Sequence, residues 1–406
     1  MNILYLTSEL PYPLRTGFMR HYYFLRSLGP RHEVTYVSLT RRKEGADEET
    51  LRVLSALAKR VVVFPVSDAG RISTALERIG SLPVIGGTLV RGTYNRHALG
   101  VLRRYLAELQ QHERFDLALI GGKMLHPIAD ALQGTPIMMD CCDAVHVRVG
   151  QELRYATPLL APFYALRYLR IRRLEKQIVA RFPNVTFVSE RDRRSLMNNG
   201  GGAVVPQGVD LGYWRRSQPY DGTPRIVFSG VMSYPPNHDA AMQLVQHIVP
   251  ALRERLAGFE VKIVGRDPRR SLLNAARACP EVEVTGEVED VRPYLENATV
   301  FVAPLRFASG MQNKILEAMA MELPVVTTPV AADGLNSNGA SAPLRIAVDA
   351  NEIADEIAAL AKDRPRRQWL ASAGRAFVES HHSWPLALER FEQEYLRAAM
   401  QGKGKH

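Results

Sequence analysis

The chain has 406 residues, of which 46% are hydrophobic and 23% are charged, so its composition is that of a globular protein rather than a fibrous or disordered one. The length favours two domains, because one hydrophobic core rarely serves so many residues. The formal net charge of +10 favours anionic partners such as phosphates, anionic lipid or nucleic acid.

The first half of the chain alternates apolar runs with segments of helical spacing. Apolar runs predict strands over residues 2–7, 33–39, 60–65, 117–120, 136–139 and 185–189, and helical spacing predicts helices over residues 17–28, 98–113 and 164–181. A strand, a helix and a second strand within 40 residues form a βαβ unit, which implies parallel pairing. The first half is therefore predicted to be a doubly wound α/β domain.

A polar stretch over residues 215–224 is predicted to be a linker, and a second alternation follows it. Its predicted strands are residues 225–229, 260–264, 282–285, 300–303 and 324–327. Asn237 is the predicted N-cap of a helix whose apolar stripe runs from Ala241 to Leu252. An amphipathic helix over residues 385–400 is expected to pack back on the first domain, ahead of a disordered tail. We thus predict two doubly wound, Rossmann-like domains facing a cleft, with boundaries at 1–212, 213–384 and 385–406.

The N-terminal segment MNILYLTSEL lacks the basic region and long apolar core of a signal peptide, and no apolar run reaches the ~18 residues of a membrane span. The three cysteines, Cys141, Cys142 and Cys279, show no metal-ligand spacing and are expected to be small buried hydrophobic residues in a reducing compartment. We therefore expect a cytoplasmic protein that can contact the inner face of the cell membrane.

Ligands of doubly wound sheets bind beyond the carboxyl ends of the strands, so residues that follow strands are the candidates. The first such loop lacks the G-x-G-x-x-G of dinucleotide-binding proteins. Gly17 at its end offers close backbone approach to a ligand, or is a plain turn glycine.

The richest segment covers residues 304–334. It contains a Ser309–Gly310 turn, opens a helix and returns into a strand. Backbone N–H groups at such a helix start form an anion site, strengthened by the helix dipole. Lys314 and Glu317 share one helix face, which suits a pyrophosphate and ribose hydroxyls; the alternative is an ordinary solvated ion pair.

Other candidates follow neighbouring strands. Arg266 and the backbone near Val288 can face the same nucleotide, or belong to simple loops. Asp140 and Asp143 are expected to face the cleft, where carboxylates can orient sugar hydroxyls or assist proton transfer; alternatively, one of them caps the next helix. His126 is a weaker candidate, since a lone histidine is more often structural.

Residues 159–182 combine aromatic residues with arginines at helical spacing. Such a segment can lie at an anionic membrane surface, or it is a packed helix with a solvated basic face. Nucleic acid is not expected as a partner, because no recognised binding module accompanies the charge.

Four segments carry a resemblance to a known family: FSGVMSYPPNHDAA, VTGEVEDVRPYL, VFVAPLRFASGMQNKILEAMAMELPVVTTP and VVPQGVD. They resemble family 4 glycosyltransferases of the GT-B fold, and are most similar to the bacterial branch of exopolysaccharide and cell-envelope assembly, including exosortase-linked enzymes. The resemblance implies retaining, metal-independent transfer from a nucleotide diphosphate-sugar, which serves as co-substrate, without a cofactor. The second domain would bind this donor and the first domain would bind the acceptor, a sugar that can be lipid-linked.

The resemblance also implies roles for residues. Glu317 would bind the ribose, the Ser309–Met311 turn would hold the phosphates, and Lys314 would stabilise the leaving pyrophosphate together with backbone N–H groups at Gly310 and Met311. Gly230, which follows the first strand of the second domain, is counted with the donor-binding residues. Lys314, Asp140 and Asp143 are the predicted catalytic residues.

The chain departs from the family pattern at three places. Ser309 stands where the first of two glutamates is usual, and residues 230–237 hold neither the usual arginine nor the usual lysine. The histidine that is usual after the strand at 136–139 is replaced around Cys141–Asp143. Two other functions therefore stay open: a nucleotide-sugar epimerase on the same fold, and a non-catalytic scaffold that binds nucleotide.

Overall fold

A computed structural model describes residues 1–14, 18–40, 45–66, 96–197, 200–218, 222–336 and 339–403. The chain divides into two compact units. The first contains residues 1–188, 192–205 and 387–406, and the second contains residues 189–191 and 206–386. No helix in these described ranges is long and apolar enough to cross a membrane.

The first unit is built on a seven-stranded parallel sheet in the order β3-β2-β1-β4-β5-β6-β7. Its strands are β1 Asn2–Thr7, β2 Glu33–Thr40, β3 Arg60–Pro65, β4 Leu117–Gly121, β5 Ile137–Cys142, β6 Asn184–Phe187 and β7 Ala203–Val204. Its helices are α1 Met19–Leu28, α2 Glu48–Ser55, α3 Arg96–His112, α4 Val145–Arg154, α5 Ala161–Arg181 and, from residue 192 onwards, α6 Glu190–Leu196, with a 3-10 segment at Lys123–Ala131. The central strands β1 and β4 are almost wholly buried, as parallel strands covered on both faces must be.

The second unit is built on a six-stranded parallel sheet in the order β10-β9-β8-β11-β12-β13. Its strands are β8 Arg225–Ser229, β9 Glu260–Val264, β10 Val282–Gly286, β11 Val300–Ala303, β12 Val325–Thr327 and β13 Arg345–Ile346. Its helices are α7 Pro235–Gln243, α8 Val249–Arg253, α9 Arg270–Arg277, α10 Arg292–Glu296, α11 Asn313–Ala320, α12 Pro329–Asp333, α13 Ala350–Lys362 and α14 Arg364–His381, with a π-helical turn at Leu244–Ile248. The last helix, α15 Trp384–Lys403, begins in the second unit and belongs to the first unit from residue 387 onwards.

In both sheets the first strand of the unit lies in the interior, and the next two strands extend the sheet to one edge. The later strands then extend the sheet to the opposite edge. This is the doubly wound order, and it confirms the predicted fold class in each unit. The order reverses between β1 and β4 in the first unit and between β8 and β11 in the second. Ligands of such sheets bind at this reversal, beyond the carboxyl ends of the strands.

The helix after β8 begins earlier than predicted. Asn237 is not its N-cap: the helix starts at Pro235, and the N-cap is Tyr234, without a side-chain bond. Proline suits the first helical turn because it has no N–H to leave unpaired. The apolar stripe from Ala241 to Leu252 is buried as expected. The Asn237 side chain therefore does not cap this helix.

Candidate functional site

The loops that leave β8, β9 and β10 are bonded to one another. The Gly230 amide donates to the Val264 carbonyl at 3.0 Å, and the Gly265 amide donates to the Gly286 carbonyl at 3.1 Å. A Cβ on Gly265 would lie 1.8 Å from the Gly230 oxygen, and its φ of +148° also favours glycine. Because the strands are parallel, the three loops form one continuous backbone surface at the carboxyl edge of the second sheet.

Lys314 reaches this surface from the first turn of α11. Its Nζ donates to Asn237 Oδ1 and lies 4.9 Å from the centre of the Phe228 ring. A Cβ on Gly230 would lie 3.1 Å from that Nζ. Residues 230–237 lack a basic side chain of their own, and the structure places the Lys314 ammonium beside them. Asn237 is a site residue that the sequence assigned only to capping, and its Nδ2 donates to the Val231 carbonyl at 3.1 Å.

Glu317 follows Lys314 on the same face of α11, and burial opposes both charges. Burial raises the pKa of Glu317 to about 7, against the pull of Lys314, which lowers it. Burial likewise lowers the pKa of Lys314 to about 7, against Glu317, which raises it. The Glu317 carboxylate accepts no hydrogen bond from any residue that the structure describes. The pair is therefore not the solvated surface ion pair that spacing alone allowed.

The Ser309–Met311 turn is held in place by a hydrogen bond from Arg191. Gly310 has a φ of +63°, and its carbonyl accepts from a terminal nitrogen of Arg191 at 2.8 Å. Arg191 also donates to the Val330 carbonyl at 2.7 Å. Ser309 is buried, and Met311 packs against the hydrophobic core. The sequence offered no sign of this role for Arg191, since nothing local connects it with a turn 119 residues away.

The start of α11 presents unused backbone donors. Gln312 is its N-cap and makes no side-chain capping bond. Within the described ranges, the amides of Gln312 and Asn313 have no acceptor. Such amides at a helix start, with a lysine beside them, attract an anion.

Arg266 and Val288 lie where the sequence predicted, after β9 and β10. The Arg266 carbonyl accepts from the Met232 amide at 2.9 Å, while its side chain is exposed. The Val288 side chain packs on the core, and its amide and carbonyl bond to no other described residue. Two residues were missed nearby: the Arg292 guanidinium lies 3.9 Å from the centre of the half-exposed Tyr213 ring. Burial, followed by the charge of Asp290 and then that of Glu317, raises the pKa of Tyr213.

The sequence predicted that Asp140 follows a strand, but in the structure Asp140 does not follow it. The strand predicted to end at residue 139 runs on to Cys142, so that Asp140 lies within β5 and is 6% exposed. Arg20 Nε lies 3.0 Å from its carboxylate, and the Thr186 hydroxyl donates to it at 3.0 Å. A carboxylate so enclosed serves the interior of the first unit, and the geometry offers no support for a catalytic role.

Asp143 lies beyond β5, with its side chain 32% exposed and 3.4 Å from the ammonium of Lys123. Neither aspartate caps the next helix. The amides of Val145 and His146 at the start of α4 donate instead to Glu175, at 2.8 and 3.1 Å. Burial alone would raise the pKa of Glu175, but Lys123 at 2.7 Å and the bonds from His146 lower it to about 2.

His21, Asp140 and Cys142 are a possible group of metal ligands, with donor atoms within 4.8 Å of one another. The guanidinium of Arg20 lies on the same Asp140 oxygen, which disfavours a second cation there. Burial raises the pKa of the Cys142 thiol and lowers the pKa of His21 to about 4. These residues fit a closed ion pair better than a metal centre.

Two weaker candidates remain. His126 is half-buried in the 3-10 segment after β4, and burial, followed by Arg181, lowers its pKa. It belongs to the first unit, whereas Lys314 belongs to the second. Gly17 lies outside the described residues.

The comparisons with known proteins agree with the fold. Residues 223–363 match the family of Glycosyl transferases group 1. The capsular polysaccharide biosynthesis glycosyltransferase CapM of Staphylococcus aureus is 32% identical over 127 residues, which are 31% of this chain and 33% of that protein. The match thus spans about a third of this curated relative's length.

Solved structures match over the whole chain. Sucrose-phosphate synthase of Thermosynechococcus elongatus has a TM-score of 0.69 at 15% identity, covering 98% of this chain and 99% of that one. HepE of Anabaena in complex with UDP has a TM-score of 0.66 at 14% identity, covering 97% and 99%. At these identities the likeness shows the fold, which is the predicted GT-B type. The resemblance to family 4-type glycosyltransferases is confirmed, whereas the branch within them stays a prediction.

Proposed function

We propose that this chain, which carries a group 1 glycosyl transferase domain over residues 223–363, transfers a sugar from a nucleoside diphosphate sugar to a hydroxyl acceptor. The observation that carries the proposal is the Lys314–Glu317 pair. This pair lies against the three bonded loops, and the backbone N–H donors at the start of α11 lie beside it. HepE, of the same fold, has been solved with UDP-glucose. A diphosphate and a ribose would supply the partners that the site lacks.

In this proposal each part of the donor meets a matching group. The diphosphate lies at the Ser309–Met311 turn and the start of α11, where Lys314 neutralises charge. The ribose hydroxyls donate to Glu317, whose carboxylate has no hydrogen-bond donor among the described residues. The base lies against the unbonded backbone of Val288. Gly230 and Gly265 let the backbone approach the donor closely.

The proposed chemistry is retaining and needs no metal. The bond between the anomeric carbon and the β-phosphate oxygen breaks, and the acceptor oxygen bonds to that carbon on the same face. The acceptor proton passes to the departing diphosphate. Lys314 stabilises the charge that develops on this leaving group, which is worth about 3 kcal/mol for a comparable single donor.

The pathway and the acceptor belong to the same proposal. CapM is named for capsular polysaccharide biosynthesis, which favours a role in exopolysaccharide or cell-envelope assembly. A lipid-linked acceptor sugar at the inner membrane face fits such a role.

The test is a thermal-unfolding panel of UDP, GDP, ADP and dTDP, since a ligand that binds only the folded protein raises its apparent stability. One nucleotide should stabilise the wild type, and Glu317→Gln should lose most of that shift. Glu283→Gln is the matched control, because Glu283 is an exposed glutamate of the same unit that pairs with Lys262. No shift with any nucleotide would overturn the proposal.

Turnover separates the transferase from its alternatives. The donor in this assay is the diphosphate sugar of the nucleoside that stabilises the protein, and the acceptor is a hydroxyl compound. Under these conditions Lys314→Ala should lower kcat by about 100-fold or more. Lys262→Ala, which removes a lysine from an edge ion pair, should leave kcat unchanged. Conversion of the donor without an acceptor would indicate an epimerase, and nucleotide binding without turnover would indicate a scaffold.

A further inference from the structure

Helix α5 exposes an apolar stripe in its first half. The side chains of Phe163, Leu166 and Leu169 are 45%, 48% and 58% exposed, and they recur at the spacing of one helix face. Leu159, just before the helix, is 81% exposed, and Tyr155 is 51% exposed. No other stretch of comparable length in the described ranges exposes as many large hydrophobic side chains. Isolated exposed leucines are ordinary, but a run on one face marks an interaction surface.

The second half of the same face is basic. Arg170, Arg173 and Lys176 continue the exposed stripe. A shallow depression beside them is lined by Leu169, Arg172, Arg173, Lys176, Gln177 and Ala180. The one acidic residue of α5 is Glu175, which is buried and bonded to Lys123. No carboxylate of the helix therefore offsets the charge of this face.

We propose that this face of α5, from Phe163 to Lys176, docks the first unit on an anionic lipid bilayer. Exposed aromatic and leucine side chains enter the boundary between headgroups and acyl chains, while arginines and lysines pair with lipid phosphates. The two halves of the stripe are each about 9 Å long, at 1.5 Å per residue, so both reach one flat surface together. This inference rests on α5 alone and does not require the proposed transferase activity.

Charge complementarity favours a bilayer over a second copy of this chain. In a two-fold contact both copies contribute the same patch, so Arg170, Arg173 and Lys176 of each would share one interface without acidic partners from the helix. Nucleic acid would match the charge but would leave Phe163 and Leu166 unused.

The experiment is sedimentation of the full chain with two kinds of vesicle, pure phosphatidylcholine and an equal mixture of phosphatidylcholine and phosphatidylglycerol. The wild type should bind the anionic vesicles at least tenfold more tightly, and added salt should weaken binding. The double variants Leu166→Gln/Leu169→Gln and Arg170→Glu/Arg173→Glu should each lower binding by about tenfold or more. All four side chains are exposed, so the changes spare the core.

Two control variants carry the same kinds of change elsewhere. Trp369→Gln removes a residue that is 66% exposed on α14, and Arg270→Glu/Arg277→Glu reverses two exposed arginines on α9. Both should bind like the wild type. Equal binding by all variants, or equal binding to both vesicles, would overturn the proposal, as would a dimer that dissociates in the α5 variants. Nucleotide thermal shifts should be unchanged in the α5 variants, which keeps this test separate from that of the donor site.

Discussion

Among single residues, Lys314 and Glu317 are two neighbouring charged groups whose burial opposes the charge of each. Each has a pKa moved to about 7 by burial, in the direction that disfavours its charge. Folding therefore costs free energy at neutral pH at these two positions, and a bound phosphate and ribose would offset that cost. Strain of this kind is expected at a binding site and is unusual in a surface ion pair.

The first prediction concerns Glu317→Gln. The folded-state pKa of Glu317 is raised, so the folded protein binds more protons at this group between about pH 4.5 and 7, and wild-type stability falls as pH rises through that range. The variant escapes this loss and should be more stable than the wild type at pH 8 by about 1 kcal/mol or more. At pH 5 the difference should shrink.

Urea unfolding at both pH values measures it, with Glu283→Gln as the exposed control. Burial also lowers the pKa of Lys314 to about 7, so its attraction for the carboxylate is weaker at pH 8 than at pH 5. A difference that is the same at pH 5 and pH 8 would contradict the assigned pKa.

The residue-scale signal in the sequence was uneven. Lys314 and Glu317 stood out because they are three apart on one predicted helix. Asn237 and Arg191 did not, because each meets its partner across a long stretch of chain: 77 residues to Lys314 and 119 residues to Gly310. Contacts of that separation leave no trace in local spacing.

At the scale of elements, the loops after β8 and β9 depend on a glycine that has no room for a side chain. The second prediction is that Gly265→Ala destabilises the protein by about 2 kcal/mol or more, because its Cβ would meet the Gly230 oxygen at 1.8 Å. Gly258→Ala is the matched control: its φ is +67°, but nothing lies within 4 Å of a Cβ there. It should show only the backbone cost of about 1 kcal/mol.

Chemical unfolding measures both variants. Nucleotide-induced stabilisation should also be weaker in Gly265→Ala, because the loops after β8 and β9 can no longer pack closely against each other. Equal losses of stability in Gly265→Ala and Gly258→Ala would contradict the prediction that the loops after β8 and β9 leave no room for a side chain at Gly265.

A second element-scale device joins α5 to the start of α4. The third prediction is that Glu175→Gln costs about 3 kcal/mol, because it leaves the buried Lys123 without its close partner. The folded-state pKa of Glu175 is depressed to about 2, so its contribution is present above pH 4.5 and is lost as pH falls through 2. The variant should lack this part of the acid dependence.

Acid unfolding of the wild type and the variant between pH 5 and 2 tests the difference in slope. Glu33→Gln is the control, since Glu33 pairs with Lys59 at an exposed position and should change stability little. Parallel acid slopes for the wild type and Glu175→Gln would contradict the prediction.

At the scale of the whole molecule, the division into two units localises the effect of the donor. The proposed contacts all come from the second unit, at the carboxyl edge of its sheet. The fourth prediction is that the stabilising nucleotide slows amide exchange most in residues 228–233, 286–291 and 309–317. Mass-spectrometric hydrogen exchange of the full chain, with and without nucleotide, measures it. Strongest protection within the first unit would place the nucleotide elsewhere.

The sequence predicted most strands closely, because buried parallel strands appear as continuous apolar runs. Arg60–Pro65, Arg225–Ser229, Glu260–Val264 and Val300–Ala303 coincide with the predicted bounds. It missed β7 and β13, each two residues long, which are too short for any periodic signal. It ended β5 too early because Asp140 looks like a loop residue, although the sheet buries it against Arg20.

The sequence by itself thus determined the fold class, the alternation of strands and helices in both halves, and the helix that bears Lys314 and Glu317. Tertiary structure decided which charges are enclosed and which are exposed. It enclosed Asp140 and Glu175 with cations, put Lys314 beside the loop after β8, and left the apolar and basic stripe of α5 uncovered. The physical reason is that hydrophobic periodicity is local, whereas burial and electrostatic partnership depend on residues brought together from distant parts of the chain.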